Sequence, residues 1–186
     1  SLHDEIVKGN ATAALIDFGH VVSVAIVIRS ALFWVATEGW HGIPIVIAAF
    51  AIGSIAMLLI SQYRVQLFKR TNRSGDCLQQ AVIDGNLAVG IRYAGFLVGS
   101  ALALTAASGI APYAADNIVA SLGYWALSAA VSLVAFILLH LVTIKIILSG
   151  CDISDEVNRQ KNVGVAAISA AISFAIGSTM ATLLGA

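Results

Sequence analysis

Residues 86–107 read NLAVGIRYAGFLVGSALALTAA, and this stretch decides the fold. It holds one charged side chain, Arg92, and no proline. A helix needs ~20 residues to cross ~30 Å of hydrocarbon, and this segment has that length. Gly95 and Gly99, followed by Ala103 and Ala107, recur every four residues and form a small-residue face suited to close helix contact. Four further apolar stretches of spanning length flank it, at 11–35, 43–60, 124–148 and 163–184. Only 11% of the residues are charged and mean hydropathy is +0.93. An ordinary globular domain carries about 25% charge. Backbone polar groups in lipid must be satisfied within the segment, so the stretches are expected to be helices. The fold class expected is all-α, a polytopic transmembrane bundle of five helices forming a single transmembrane domain over 1–186. A net charge of zero gives no reason to expect a nucleic-acid partner.

The lead into residue 86 recurs. Asn10, Asn86 and Asn162 each stand between a short polar segment and an apolar helix that opens with small residues, and both separations are 76 residues. Ser74-Gly75-Asp76-Cys77 and Ser149-Gly150-Cys151-Asp152 precede the later two copies. The spacing predicts parallel two-helix repeats with a period of 76, covering 4–73, 78–148 and a half repeat at 153–186. Every Asn-led helix then enters the membrane from the same side. Because Ser1 is not an initiator Met and half a repeat is lacking, a helix ahead of Ser1 is expected in a longer chain.

At these residues the sequence resembles the YjfL-like family of bacterial inner-membrane proteins, which carry a duplicated helix pair with an Asn-led, small-residue entrance to the second helix. The resemblance runs from Asp4 to Ala186. It differs in having a third Asn-led helix and no helix before the first. It implies a helical-repeat protein of the bacterial inner membrane and brings no activity with it.

Lys8, Arg64, Lys69, Arg70, Arg73, Lys145, Arg159 and Lys161 flank one side, whereas the connections 37–42 and 108–123 contain no Lys or Arg. The positive-inside rule places the N-terminus in the cytoplasm and the C-terminus outside. Trp34, Trp40, Tyr113, Tyr124 and Trp125 mark the opposite interface as an aromatic belt. Cys77 and Cys151 fall on the cytoplasmic side, where free thiols are expected. The basic stretch Arg64, Lys69, Arg70 and Arg73, with Leu67 and Phe68 among it, suits contact with lipid headgroups.

Charge inside hydrocarbon costs from ~2.5 kcal/mol upward and must be paired or line a cavity. Asp17 lies seven residues past Asn10 and Arg92 six past Asn86, so both lie roughly 10 Å deep from one face at ~1.5 Å per residue. His20 and His140 fall at similar depth. Asp17, His20, Arg92 and His140 thus form a candidate intramembrane polar layer, read either as a structural Asp17–Arg92 bridge or as part of an ion pathway. Arg29 lies near the outer interface, with Glu38 a candidate partner. The three asparagines are candidate N-caps, or the rim of an anion site where helix N-termini converge. In the last helix Ser169, Ser173, Gly177, Ala181 and Gly185 form one small-residue line, and Ala167, Ala171, Ala175 and Thr179 another. Two such lines suit the seam of a homo-oligomer.

No phosphate loop, zinc-binding motif or nucleophile elbow occurs, and the loops are too short for a catalytic domain. No enzyme activity and no cofactor are expected; a haem between His20 and His140 has no attachment motif to support it. Two functions compete: an oligomeric ion or small-solute transporter or channel using the polar layer, and a non-transporting scaffold that docks a membrane or cytoplasmic partner through residues 64–80 and 149–161.

Overall fold

The structure, a computed structural model, describes residues 2–71 and 77–185. Arg73 and the Ser74-Gly75-Asp76 part of the repeated motif lie outside the described residues. Helices α1 (Leu2–Val7), α2 (Ala11–Trp34), α3 (Ile43–Thr71), α4 (Leu78–Ile83), α5 (Leu87–Ile110), α6 (Ile118–Ile147) and α7 (Val163–Leu184) carry the fold, and no strand occurs among the described residues. Five of them, α2, α3, α5, α6 and α7, are long and apolar enough to cross a membrane. The protein is therefore a multi-pass, all-helical membrane protein.

Helix α5 is the centre, and its small residues are the reason. Its Gly90 and Ala94 face α2, while Gly95 and Gly99 face α7. A Cβ added at Gly19 of α2 would lie 2.7 Å from the Ala94 Cα, and one added at Gly95 would lie 2.6 Å from the Ala170 Cα. Both distances are shorter than any ordinary packing contact, so only glycine permits the approach. Gly177 rests in the same way on the backbone of Gly99. Helix α3 packs against α2, α5 and α6, and α6 packs against α5 and α7. The apolar core fills the space these make, with Phe96, Leu97, Leu104, Trp125 and Phe136 fully buried.

Two helix boundaries differ from those the hydropathy suggests. Helix α3 continues eleven residues past Ile60 to Thr71, because Ser61-Gln62-Tyr63-Arg64-Val65-Gln66-Leu67-Phe68 contains no Gly or Pro to stop it. Helix α6 starts at Ile118, capped by Asn117, whose side-chain oxygen accepts from the Ala120 N–H at 3.1 Å. In α3 the polar residues Ser61, Gln62, Arg64 and Gln66 hide the last turns from a hydropathy window.

The aromatic residues at the end opposite the basic one divide. Trp40 and Tyr124 are exposed, as an interfacial belt requires. Trp34 and Trp125 instead turn inward, 5.6 Å apart between ring centres. Their indole N–H groups donate to the Ala111 carbonyl at 2.7 Å and to Ser108 Oγ at 3.2 Å. Burial satisfies the polar edge of each ring as well as its apolar body. Arg29 stacks over Phe33 at 4.9 Å. Cys77 and Cys151 are both exposed free thiols.

Candidate functional site: a cationic cavity at the basic end

The three asparagines organise this end of the molecule. Each caps its helix: Asn10 Oδ1 accepts from the Thr12 and Ala13 N–H groups, Asn86 from Val89, and Asn162 from Val165. The residue before each, Gly9, Gly85 or Lys161, has positive φ, which turns the chain sharply from the lead-in segment into the helix. The amide halves have a second task that the sequence did not disclose. Asn10 Nδ2 donates to the Val82 carbonyl at 2.7 Å, and Asn86 Nδ2 to the Val157 and Asn158 carbonyls at 3.1 Å each. Each of these asparagines thereby ties its own helix to the lead-in segment ahead of the next Asn-led helix. Asn162 Nδ2 bonds within its own segment, to Glu156 Oε2 at 2.8 Å.

The lead-in segments are fixed by local charge. Lys8 bonds to Glu5 at 2.8 Å, and this bond, with a second from Asn10, holds the Glu5 carboxyl below the usual glutamate range. Arg159 makes a two-pronged bond to Asp155, at 2.6 and 2.8 Å, which raises the guanidinium's pKa further.

Between these segments and the long helices lies a cavity of about 230 Å³. Arg64 of α3, Arg92 and Tyr93 of α5, Leu141 of α6 and Asn158 are among the residues lining it. Ser154 Oγ donates to the Thr71 carbonyl at 2.8 Å and closes the rim, joining the end of α3 to the segment before α7. Arg64 stacks on the Phe96 ring at 4.4 Å. The Nε atoms of both Arg64 and Arg92 are buried and meet no hydrogen-bond acceptor. No ion pair to either guanidinium occurs among the described residues. Two cations thus share one pocket without a counter-charge among the described residues. Both side chains are half-buried and their Nε atoms wholly so; an uncompensated charge is costlier the more it is buried, so the arrangement favours an anion between them, and paired guanidinium groups suit a carboxylate or phosphate.

A second, smaller cavity of about 30 Å³ adjoins these residues and is lined by both arginines and His140. His140 is buried between Phe96 and Phe136, with Nδ1 3.2 Å from Ser173 Oγ. Ser169, one turn nearer the basic end of α7 than Ser173, and Ser132, two turns further along α6 from His140, bury hydroxyls without partners.

Of the layer expected from the sequence, Arg92 and His140 come together and Asp17 and His20 stand apart. Asp17 is exposed on α2 and makes no bond or ion pair with a described residue, so no Asp17–Arg92 bridge forms. The two have equal depth but point away from each other: the α5 face that meets α2 carries Gly90 and Ala94, and Arg92 turns toward α3 and α6. His20 bonds to its own helix, Nδ1 to the Ile16 carbonyl at 3.0 Å, and tilts against Tyr93. Arg64, assigned from sequence to lipid headgroups, lines the cavity, whereas Lys69 and Arg70 are exposed. In α7 Ser169, Ser173 and Gly177 are buried, while Ala167, Ala171, Ala175 and Thr179 are exposed.

These features define a polytopic helical membrane protein with a cationic cavity at its basic end. The chain belongs to the family described as Domain of Unknown Function (DUF350), whose model matches residues 40–184. The match takes in α3 to α7 and both arginines. No curated protein and no solved structure matches the chain.

Proposed function

We propose that the protein is a non-enzymatic anion transporter or channel, taking a small anion from its basic side into the Arg64–Arg92 cavity and past His140. The observation that carries this reading is the pair of guanidinium groups that line one cavity, their Nε atoms buried, with no acidic partner among the described residues. A structural role would pair such charges, since pairing removes most of the cost of burying them. The polar layer inferred from sequence thereby becomes a cationic one, with Arg64 in the place given to Asp17. The cavity of about 30 Å³ lined by Phe96 and His140 serves as the gate, since it has room for no more than a water or two. The charge bias supports a cytoplasmic basic side, and the resemblance to the YjfL-like family supports a bacterial inner membrane.

Proteoliposomes loaded with a buffer of one anion and diluted into another provide the test, with chloride and phosphate measured separately. Arg92→Gln and Arg64→Gln are expected to reduce anion flux at least tenfold, while Lys69→Gln, at an exposed position, leaves it unchanged. Unaltered flux in an assembled Arg64→Gln/Arg92→Gln double variant, or no anion flux in the unmodified protein, defeats the reading.

A further inference from the structure

The cavity of about 230 Å³ has walls of two kinds. Leu67 and Phe68 of α3, Leu78 of α4, Leu141 of α6 and Val157 present hydrocarbon, whereas Arg64 and Arg92 present charge. The remaining polar side chains on the wall hold bonds within the protein. Thr71 Oγ1 donates to the Leu67 carbonyl at 2.9 Å, and the Tyr93 hydroxyl lies 2.6 Å from that of Ser61. Ser154 Oγ donates to the Thr71 carbonyl at 2.8 Å and accepts from Asn158 Nδ2 at 3.1 Å. Of the polar groups on the wall, only the two guanidinium groups have no hydrogen bond or ion pair with a described residue. The lining runs in sequence from Arg64 to Asn158, so neither end of the chain borders the cavity.

A ligand that matches such walls has one compact negative group and a body without hydrogen-bonding groups. A hydroxylated or zwitterionic body would bury polar groups against hydrocarbon with no partner, which costs affinity. A bare inorganic ion would leave most of the space to water, since one water needs only ~10–15 Å³ of cavity. Water against leucine and phenylalanine finds few partners. The apolar wall also continues outward. Leu141 is exposed on α6, as are Leu138 about one turn before it and the adjacent Val142. Lys145 is exposed one turn nearer the basic end. Hydrocarbon thus runs from the arginines to the surface of α6 that faces lipid.

We propose, resting on the anion reading above, that the cavity binds an amphipathic oxyanion, a carboxylate or phosphate on a hydrocarbon chain, and that this ligand blocks the path of smaller anions. Its head lies between Arg64 and Arg92, and its chain lies against Leu67, Phe68 and Leu141. It is too large for the cavity of about 30 Å³ at His140. It therefore stays at the arginines and keeps other anions from them. The same chemistry comes from two sources, a free medium-chain acid or the phosphate headgroup of a lipid in the surrounding leaflet.

Binding of radiolabelled octanoate to the protein in phosphatidylcholine nanodiscs, with empty nanodiscs subtracted, tests it. Octyl phosphate is expected to displace octanoate at a comparable concentration, while acetate and inorganic phosphate need at least about tenfold more. Octanol, which has the chain without the charge, should displace it poorly. From butanoate to octanoate, affinity should rise by up to about fourfold per methylene. Arg64→Gln/Arg92→Gln should weaken octanoate binding about tenfold or more, and Leu67→Ser should narrow the margin between octanoate and acetate. Nanodiscs containing phosphatidic acid separate the sources: a fall in octanoate binding beyond that caused by phosphatidylserine assigns the site to a lipid headgroup, and no such fall assigns it to a free acid. Octanoate bound no better than acetate overturns the proposal, as does displacement by octanol equal to that by octyl phosphate. In proteoliposomes, chloride flux that octanoate leaves unchanged overturns the block. Octanoate binding without any chloride or phosphate flux defeats the transport reading and leaves the ligand class standing.

Discussion

Substituting Gly95 by alanine isolates the contact between α5 and α7. The added methyl would sit 2.6 Å from the Ala170 Cα, whereas carbon atoms rest at about 3.5–4.0 Å. The helices must therefore separate locally by about 1 Å. A gap of that size forfeits roughly a quarter to a half of the dispersion energy of each affected atom pair, at ~0.1–0.2 kcal/mol per pair. With on the order of 30 close pairs along the seam, the loss comes to ~1–2 kcal/mol, inside the ~1–3 kcal/mol range for overpacking. Gly123 is the control: it lies in α6, and a Cβ there would meet nothing within 4 Å. Reversible unfolding in bicelles should show Gly95→Ala destabilised by ~1–2 kcal/mol and Gly123→Ala unchanged or slightly more stable. If both variants unfold together with the unmodified protein, close α5–α7 packing is not what holds the bundle.

Two further outcomes follow from the asparagine lattice. Asn86→Ala removes an N-cap, worth ~0.5–2 kcal/mol, and leaves the Val157 and Asn158 carbonyls without their donor. Asn162→Ala loses its cap and a bond within its own segment. Unfolding in bicelles should therefore show the larger loss for Asn86→Ala, and equal losses would argue against the tie between segments. Lys161 holds φ 53° where Gly9 and Gly85 stand in the related turns. A left-handed residue with a Cβ costs roughly 1–2 kcal/mol, so Lys161→Gly should unfold no more easily than the unmodified protein while Gly85→Val unfolds more easily; the opposite order would refute the reading of this turn.

The helices were legible because their cause is local: a run of apolar residues of spanning length suffices. The N-caps were legible for the same reason, since an asparagine before a helix needs only its own first turn. Sequence depth put Arg92 and His140 at one height, and both line one small cavity. It could not give azimuth, which depends on how the helices pack. Asp17 and Arg92 share a depth, yet Gly90 and Ala94 occupy the face of α5 that meets α2 and leave Arg92 on another side. Arg64 was hidden for a different reason. A basic residue beyond the hydropathic segment reads as interfacial, and only the continuation of α3 to Thr71 places it on the rigid wall of a cavity. A signal was available: Tyr63, Leu67 and Phe68 continue the apolar spacing of a helix through the basic stretch.

The lattice and the cavity are one construction. Val157 and Asn158, whose carbonyls accept from Asn86, also line the cavity beside Arg92. Asn86 caps the same helix that carries Arg92 six residues later, so it fixes both the guanidinium and the opposing wall against one reference point. Ser154, bonded to Thr71, does the same for the helix that carries Arg64. The two cations are thus held close by backbone carbonyls and caps that contribute no negative charge of their own. A fold whose task was only to bury these arginines would meet them with carboxylates. This one brings three elements to them and, among the described residues, lines their cavity with no carboxylate.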